Sequence, residues 1–480
     1  GSIAVVLIFD TARRWFGDRA ATIAALLAIL TGVISFYEVT ILQAALDPFL
    51  VALMLFLLTI ALQSERPLWF AATGIAIGLF VLNRPNAVLW LPVVALAILW
   101  VWGWRNAVML SCAAILPIAA VTVRNYEVSH QLVFIASHGG LNFYIGNNPQ
   151  ADGTYHHVPG IRPTIAGQQE DAPRVEARAG SFSQRAWTWI RANPFSALAL
   201  FIRKLAYTIN QTDLALNYSY SYFAKDVVSP LRWLIAGPWL LFPLAIVGAV
   251  RHIREKRFAV WASFIPIYAI SVAIFFVSSR YRLPLLIPMC ITAGAFFVGF
   301  RIWHAALAAI LAVGACWNFG LDDGRAHEKT NMAVYWIEQH RFDDAARTLA
   351  ETESITRDPT TLHARAAAAY AREGRIDAAL PMLRGIDPAA LDAQESSELA
   401  RIARTAAIAD VQSNQPQKAI DAFETAHRLD PSDASDLLNV AVLQAQLGDT
   451  ASARENARAA LRLRPDYEKA QGLLRMLEGH

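Results

Sequence analysis

Cysteine, metal-binding patterns and charge are what this chain has least of. Its 480 residues include three cysteines. Cys112, Cys290 and Cys316 each fall inside an apolar run, where a thiol packs as a small hydrophobe, so neither a disulfide framework nor a cysteine metal site is expected. No CxxC, HExxH or phosphate-cradling glycine-rich loop occurs. The pair His156-His157 has no carboxylate at ligand spacing, so no metal is expected there either. The net charge is only +3, and its positive excess sits in short turns, which removes support for nucleic-acid binding. What is abundant is apolar surface: hydrophobic residues make up 55% of the chain against 17% charged, with mean hydropathy +0.34, far above a soluble domain of this size.

That apolar content is concentrated before residue 321. Runs long enough to cross a bilayer predict spans at 1–9 (cut short), 20–36, 41–62, 68–82, 86–103, 107–122, 232–250, 259–278, 283–300 and 304–320. Positive charge in short connections sets orientation. One set of alternate turns holds Arg13, Arg14, Arg19, Arg66, Arg105, Arg251, Arg254, Lys256, Arg257 and Arg301, and the other only Arg84, Arg280 and Arg282. The first set is therefore expected in the cytoplasm, and 123–231 and the C-terminal part outside it. Gly1–Phe9 is too short to span and has no charged region before it or cleavage site after it, so it is expected to be the tail of a helix that begins upstream.

Three arginines stand where the rest of the chain avoids short-turn positive charge. Arg84 lies in Leu82-Asn83-Arg84-Pro85, and Arg280-Tyr281-Arg282 precede Leu283-Pro284 at the mouth of the next span. The guanidinium fork keeps its charge when partly desolvated and binds phosphate through two hydrogen bonds, so these residues predict a phosphate or diphosphate ligand; snorkelling to lipid headgroups is the alternative. Asp47, one turn inside the membrane after Tyr37-Glu38, either faces a wet cavity, caps the helix before Pro48 or pairs with an arginine.

The outer segment adds polar and aromatic residues. Ser137-His138-Gly139-Gly140-Leu141-Asn142-Phe143-Tyr144-Ile145-Gly146-Asn147-Asn148 and the following 153–160 offer amides and rings of the kind that bind sugars, with His138, Asn142, Tyr144, Asn147 and Asn148 as candidate contacts; simple turn formation is the alternative. Residues 181–208 read as an amphipathic helix with Trp187, Trp189 and Ile190 opposite Arg185 and Arg191, suited to a membrane interface. Asn210 and Asn217 begin glycosylation sequons, a pattern common by chance.

After Asp322 the texture becomes alanine-rich, charged and helical. Pro431 recurs as Pro465, Ala419 as Ala453, and Arg341-Phe342-Asp343-Asp344-Ala345 as Arg375-Ile376-Asp377-Ala378-Ala379, each 34 residues apart, with a longer step between the two pairs that implies an insertion near 389–397. This period resembles tetratricopeptide repeats, about four of them over 325–480, whose concave face would take a protein or peptide or serve only for stability or assembly.

The order of features in 1–320 also resembles a family. A basic turn Arg13-Arg14-Trp15-Phe16-Gly17, Tyr37-Glu38, Leu46-Asp47-Pro48, Asn83-Arg84-Pro85, a long outer loop and Arg280-Tyr281-Arg282-Leu283-Pro284 follow one another as in GT-C glycosyltransferases of the protein O-mannosyltransferase and aminoarabinose-transferase kind, most closely the bacterial members that end in tetratricopeptide repeats. The resemblance implies an all-α fold: a polytopic transmembrane helix bundle over 1–122 and 232–320, a long extracytoplasmic loop over 123–231, and a repeat superhelix over 325–480. It implies a multi-pass protein of the bacterial cytoplasmic (inner) membrane, repeats outside. The enzyme would move a sugar from a polyprenyl-phosphate donor to a protein, lipid or glycan, with membrane lipids as neighbours and no certain cofactor beyond the lipid-linked substrate. Arg280, Tyr281, Arg282 and, more weakly, Arg84 match the family's donor-phosphate ligands. The family's acidic base lies in a first outer loop, which here would precede Gly1, so the chain is expected to bind donor without turnover, with Asp47 and Glu38 the fallback bases. A membrane-anchored repeat scaffold and an O-antigen ligase or polymerase are the competing assignments.

Overall fold

The computed structural model describes residues 1–135, 138–155, 181–227, 230–391 and 393–479. Ser137 and His156-His157, singled out above, lie outside the described residues. The rest are helical as expected: among them the only strand-like pairing is an isolated bridge between Thr31 and Ala236. They divide into two compact units, one ending at Gly324 and the other beginning at Arg325.

In the first unit the apolar runs become α1 (Ser2–Phe16), α2 (Asp18–Leu30), α3 (Gly32–Val39), α4 (Asp47–Ser64), α5 (Pro67–Asn83), α6 (Trp90–Trp102) and α7 (Trp104–Ser129). The long segment that follows contributes α8 (Gly139–Gly146), α9 (Phe182–Ala192), α10 (Pro194–Ile209) and α11 (Tyr220–Lys225). Then follow α12 (Pro238–Val250), α13 (Lys256–Ala262), α14 (Phe264–Ile274), α15 (Ser279–Phe296) and α16 (Ile302–Ala315). Among the described residues four helical stretches, Gln43–Ser64, Pro85–Trp102, Trp104–Ser129 and Lys256–Ile274, are long and apolar enough to cross a membrane, beside three shorter apolar helices. This is a membrane protein.

Several boundaries differ from the hydropathy pattern. The first helix does not stop at residue 9: Asp10 accepts from Arg13 and Arg14 one turn on, which carries the helix to Gly17, whose φ of 86° ends it. The run 20–36 is broken at Thr31, whose hydroxyl donates to Leu27 O at 2.6 Å. Helix α7 runs through Pro117 to Ser129, so the outer segment starts later than 123. The run 232–250 is helical only from Pro238, after a short 3-10 turn at Pro230–Trp233. Residues 181–208 form two helices, parted at Asn193, whose backbone is non-helical (φ −134°, ψ 58°) and which precedes Pro194, the first residue of the second helix; a residue before proline is biased away from the helical region. Helix α15 starts four residues before the predicted 283, since the Ser278 hydroxyl caps it by accepting from Tyr281 N.

Helix α15 is the centre of the bundle. It is buried all round from Arg282 to Phe296, packed by α12, α2, α1 and α4, which fits a helix apolar on every face. Helices α5 and α7 pack through Gly74 and Gly78, where any Cβ would meet the carbonyls of Leu110 and Ala114. The charged turns sort to two ends. At one, Arg257 pairs with Glu65 at 2.6 Å and Phe16 stacks by His252 at 4.8 Å. At the other lie Asp47, Arg84 and Arg280.

The second unit is a series of helix pairs: α17 (Arg325–Glu338) with α18 (Phe342–Glu353), α19 (Pro359–Arg372) with α20 (Ile376–Arg384), α21 (Ala393–Gln412) with α22 (Pro416–Leu429), and α23 (Ala434–Gln446) with α24 (Thr450–Leu463), then α25 (Glu468–Glu478). Ala345, Ala379, Ala419 and Ala453, the repeated small position, are each fully buried where paired helices touch. The longer step between repeats holds a 3-10 turn at Pro388–Ala390 and the 20-residue α21.

Candidate functional site

Asp47 and Arg84 answer each other. Asp47 opens α4 and Arg84 closes α5, and both are buried. Arg84 Nε donates to Asp47 Oδ1 and Oδ2 at 2.9 Å each, Nη2 donates to Oδ2, and Asn83 Nδ2 donates to Oδ1 at 2.8 Å. Of the roles open to Asp47, the arginine pair is the one formed. The carboxylate is enclosed by four N–H contacts, so both of its oxygens are engaged. Arg84 also donates to Arg280 O at 3.1 Å and lies 5.3 Å from the Tyr281 ring, so the pair braces the start of α15. Glu38 stands apart on α3, 3.2 Å from the Gly1 amine.

The two arginines of α15 differ in what they hold. Arg282 is buried, and its Nη atoms donate to Tyr207 O (3.1 Å), Asn210 O (2.5 Å), Thr212 O (2.6 Å) and Ser279 Oγ (3.2 Å). It therefore fastens the segment after α10 to the head of α15. Arg280 is half-buried. Its Nη1 donates to Asn217 Oδ1 at 2.6 Å and Nη2 to Tyr281 Oη at 3.3 Å, its guanidinium lies 5.1 Å from the Tyr281 ring, and its Nε is buried with no hydrogen-bond partner. The Asn217 sequon is thus tied to this arginine. The Asn210 amide is spent on Ala315 O and Trp317 O, both at 2.9 Å.

The sugar-contact candidates lie beside this cluster, joined to it through residues 275–278. Asn147 is buried and its amide donates to Phe143 O and Ile274 O at 2.8 and 2.9 Å. Asn148 donates to Tyr144 O and Ile145 O at 2.9 and 3.1 Å. The Asn148 amide closes α8, whereas that of Asn147 both closes α8 and ties it to Ile274. Tyr144 lies under Arg185, which is 4.4 Å from its ring and donates to its hydroxyl at 2.9 Å. His138 is the N-cap residue of α8. Asn142, half-buried on α8, has no side-chain hydrogen bond among the described residues. Gly146 allows α8 to touch the next connection: a Cβ there would strike the Phe275 carbonyl.

Two further residues here are not expected as site residues from the sequence, in which Lys204 reads as a basic residue of the amphipathic interfacial segment. Lys204 on α10 is fully buried; its Nζ donates to Phe275 O (2.8 Å), Gly146 O (3.0 Å) and Asn147 Oδ1 (3.2 Å). Burial pushes its pKa down to about 7, while three oxygen acceptors favour the charged form. Asp213 is 6% exposed; Oδ2 accepts from Ser221 N at 3.1 Å, and Oδ1 has no partner. Burial raises its pKa, against the pull of Ser279, Ser221 and Arg282. Tyr37 feels Asp213, Arg280, Arg282 and Arg84 together, so three guanidinium groups and one carboxyl share one region. Lys204 falls one helical turn from Tyr207 and Leu200 on an otherwise buried face, the only pattern that distinguishes it from the exposed Arg203.

A family described as dolichyl-phosphate-mannose-protein mannosyltransferase matches residues 1–124. This similarity supports a membrane glycosyltransferase in the broad sense. No curated protein matches the chain. Among solved structures, MamA is 17% identical over 33% of this chain and 83% of its own, with a TM-score of 0.21. YrrB, a TPR protein with an unusual peptide-binding site, is 13% identical over 49% of this chain and 89% of its own, TM-score 0.18. The APC/C hetero-tetramer Cut9–Hcn1 is 9% identical over 93% and 98%, TM-score 0.21.

Proposed function

We propose that the chain is a glycosyltransferase that takes a sugar from a polyprenyl-phosphate donor on the extracytoplasmic face of a bacterial inner membrane, with Arg280 as the residue that meets the donor phosphate. The observation that carries this is the unequal occupancy of the three arginines. Arg84 is neutralised by Asp47, Arg282 is engaged by backbone oxygens, and Arg280 keeps a buried Nε–H without a partner. The expected phosphate ligands Arg280, Tyr281, Arg282 and, more weakly, Arg84 are thereby narrowed to one contact, Arg280, with Arg84 and Arg282 as braces. Tyr281 shapes the floor beneath it.

In such a transfer the acceptor hydroxyl attacks the anomeric carbon and passes its proton to a general base, which the family resemblance puts on a carboxylate of a first outer loop, while the bond from that carbon to the phosphate oxygen breaks and its electron pair leaves with the phosphate. A fixed guanidinium in a poorly hydrated place stabilises that developing charge. The separation of Arg280 from the arginine-rich turns at the opposite end of the bundle supports an outer location. The acceptor is a protein, lipid or glycan hydroxyl, and the repeat unit would receive a protein or peptide partner.

Arg280→Ala should weaken binding of a polyprenyl-phosphate sugar by about 1.5–3 kcal/mol, the range for a charge-assisted hydrogen bond, and Arg280→Lys should recover only part. Titration of the purified protein in nanodiscs measures this. Equal donor affinity in a folded Arg280→Ala protein would remove the phosphate assignment.

A further inference from the structure

The end of α14, the end of α8 and the middle of α10 meet at one buried nitrogen. Lys204 Nζ has three N–H donors and three oxygen acceptors, Gly146 O, Asn147 Oδ1 and Phe275 O, all between 2.8 and 3.2 Å. None of these partners is a carboxylate. A methionine would fill the same space without the cost of desolvating a charge, but it could not hold three oxygens of mutually repelling carbonyl dipoles at one point. The ammonium therefore does something that apolar packing cannot.

Its position gives that work a direction. Phe275 directly precedes Phe276, whose ring packs edge-on to Tyr281 at 5.3 Å. Ser278, three residues after Phe275, caps α15 through Tyr281 N. Tyr281 in turn accepts from Arg280 and lies 5.1 Å beneath its guanidinium. On the other side Asn147 donates to Ile274 O and Val277 N donates to Gly153 O at 2.9 Å, so residues 274–277 are gripped on both flanks around Lys204. The groups facing this lysine are largely uncharged: Ile274 to Ser278 carry no charge, Tyr207 follows one turn on in α10, and Asp152 acts on Tyr207 from the turn after α8.

We propose that Lys204 is a positioning residue for the donor site: its ammonium ties α8 and α10 to the connection before α15 and so sets where Arg280 presents its guanidinium. This rests on the assignment of Arg280 to the donor phosphate. Movement of Phe275 would be passed through Phe276 and Tyr281 to Arg280 without any direct contact between Lys204 and ligand.

The test uses the whole chain in nanodiscs, with a short-chain polyprenyl phosphate as probe, in wild type, Lys204→Met, Lys204→Arg, Arg280→Ala and the Lys204→Met/Arg280→Ala double variant. Hydrogen exchange of 275–282 is measured beside binding. Lys204→Met should raise exchange in that segment and weaken probe binding about tenfold; Lys204→Arg, which keeps a buried cation, should restore most of the affinity. The double variant should bind about as weakly as Arg280→Ala alone, because both changes act through one contact, an outcome that general loosening of the fold would not give. Wild-type affinity in a folded Lys204→Met protein, or losses that multiply in the double variant, would overturn the positioning role. If Lys204→Met does not fold, Lys204→Gln, which retains an amide donor, takes its place with the same expectations. Exchange that rises in Lys204→Met while wild type itself ignores the probe would sink the donor assignment, and with it this role, whereas normal wild-type binding with unchanged exchange would sink the role alone.

Discussion

Buried charge is where single residues matter most in this protein. The Asp47–Arg84 pair is 0% and 1% exposed, so removing one partner leaves an uncompensated charge in a dry place. Arg84→Met should destabilise by about 3–5 kcal/mol, and the double change Asp47→Leu/Arg84→Met should recover most of it, since breaking a buried pair costs more than replacing both halves. Thermal unfolding in detergent of the two single variants and the double variant checks this. Asp213 behaves in the opposite sense. Its carboxyl is held above the ordinary range by burial, so the folded state disfavours the ionised form; the associated penalty is absent below the unfolded value near 4 and grows as pH rises past it. Asp213→Asn should therefore stabilise by about 1 kcal/mol at neutral pH, with the gain closing on acidification. A constant difference between pH 3.5 and 7 would contradict this. For Lys204, depressed to about 7, the folded form sheds its proton before the unfolded one. Wild-type stability relative to Lys204→Met should then rise with pH between about 7 and 10, by at most about 1.4 kcal/mol per unit.

At the scale of elements, the repeat turns show a conformation shared by different residues. Gly374 and Gly448 have φ of 72° and 86°, and the equivalent positions in the other two repeats, His340 and Asn414, are forced to 57° and 56°. The left-handed region costs a side chain about 1–2 kcal/mol and Asn least. His340→Gly should thus stabilise the repeat unit by about 1 kcal/mol and Asn414→Gly by less, measured by chemical denaturation of the chain followed through repeat-unit tryptophan Trp336. A loss in both would mean that the His340–Glu373 contact at 3.7 Å and the Asn414 side chain outweigh backbone strain.

For the whole molecule, orientation and division of labour remain the consequential expectations. Reporter fusions at Arg254 and Gly324 should give cytoplasmic and outer-face signals respectively; one side for both would overturn the assigned topology. Deletion of 325–480 should leave polyprenyl-phosphate binding within about twofold, because every residue proposed for the donor site lies in the first unit, before Arg325. Loss of donor binding in a folded, membrane-inserted truncation would favour the scaffold assignment instead.

The sequence by itself determined the helical class, the two-part organisation, the 34-residue period and the three arginines, because each is written in local terms: run length, charge position and spacing. Ala345, Ala379, Ala419 and Ala453 could be singled out as close-packing positions since a repeat displays its constraint several times. What each polar side chain holds was not local. Asp47 and Arg84 are 37 residues apart, Lys204 and Phe275 71, and Arg282 and Asn210 72. Only the tertiary structure decided that Asn147 and Asn148 bond to helix carbonyls, that Arg282 is bound by carbonyls, that Lys204 and Asp213 are buried near Arg282 and Phe275, and that the Nε of Arg280 is buried without a partner among the described residues. The physical reason is that a charge or amide in a nearly dry bundle takes whichever partner packing brings within about 3 Å, and packing is a property of the whole chain.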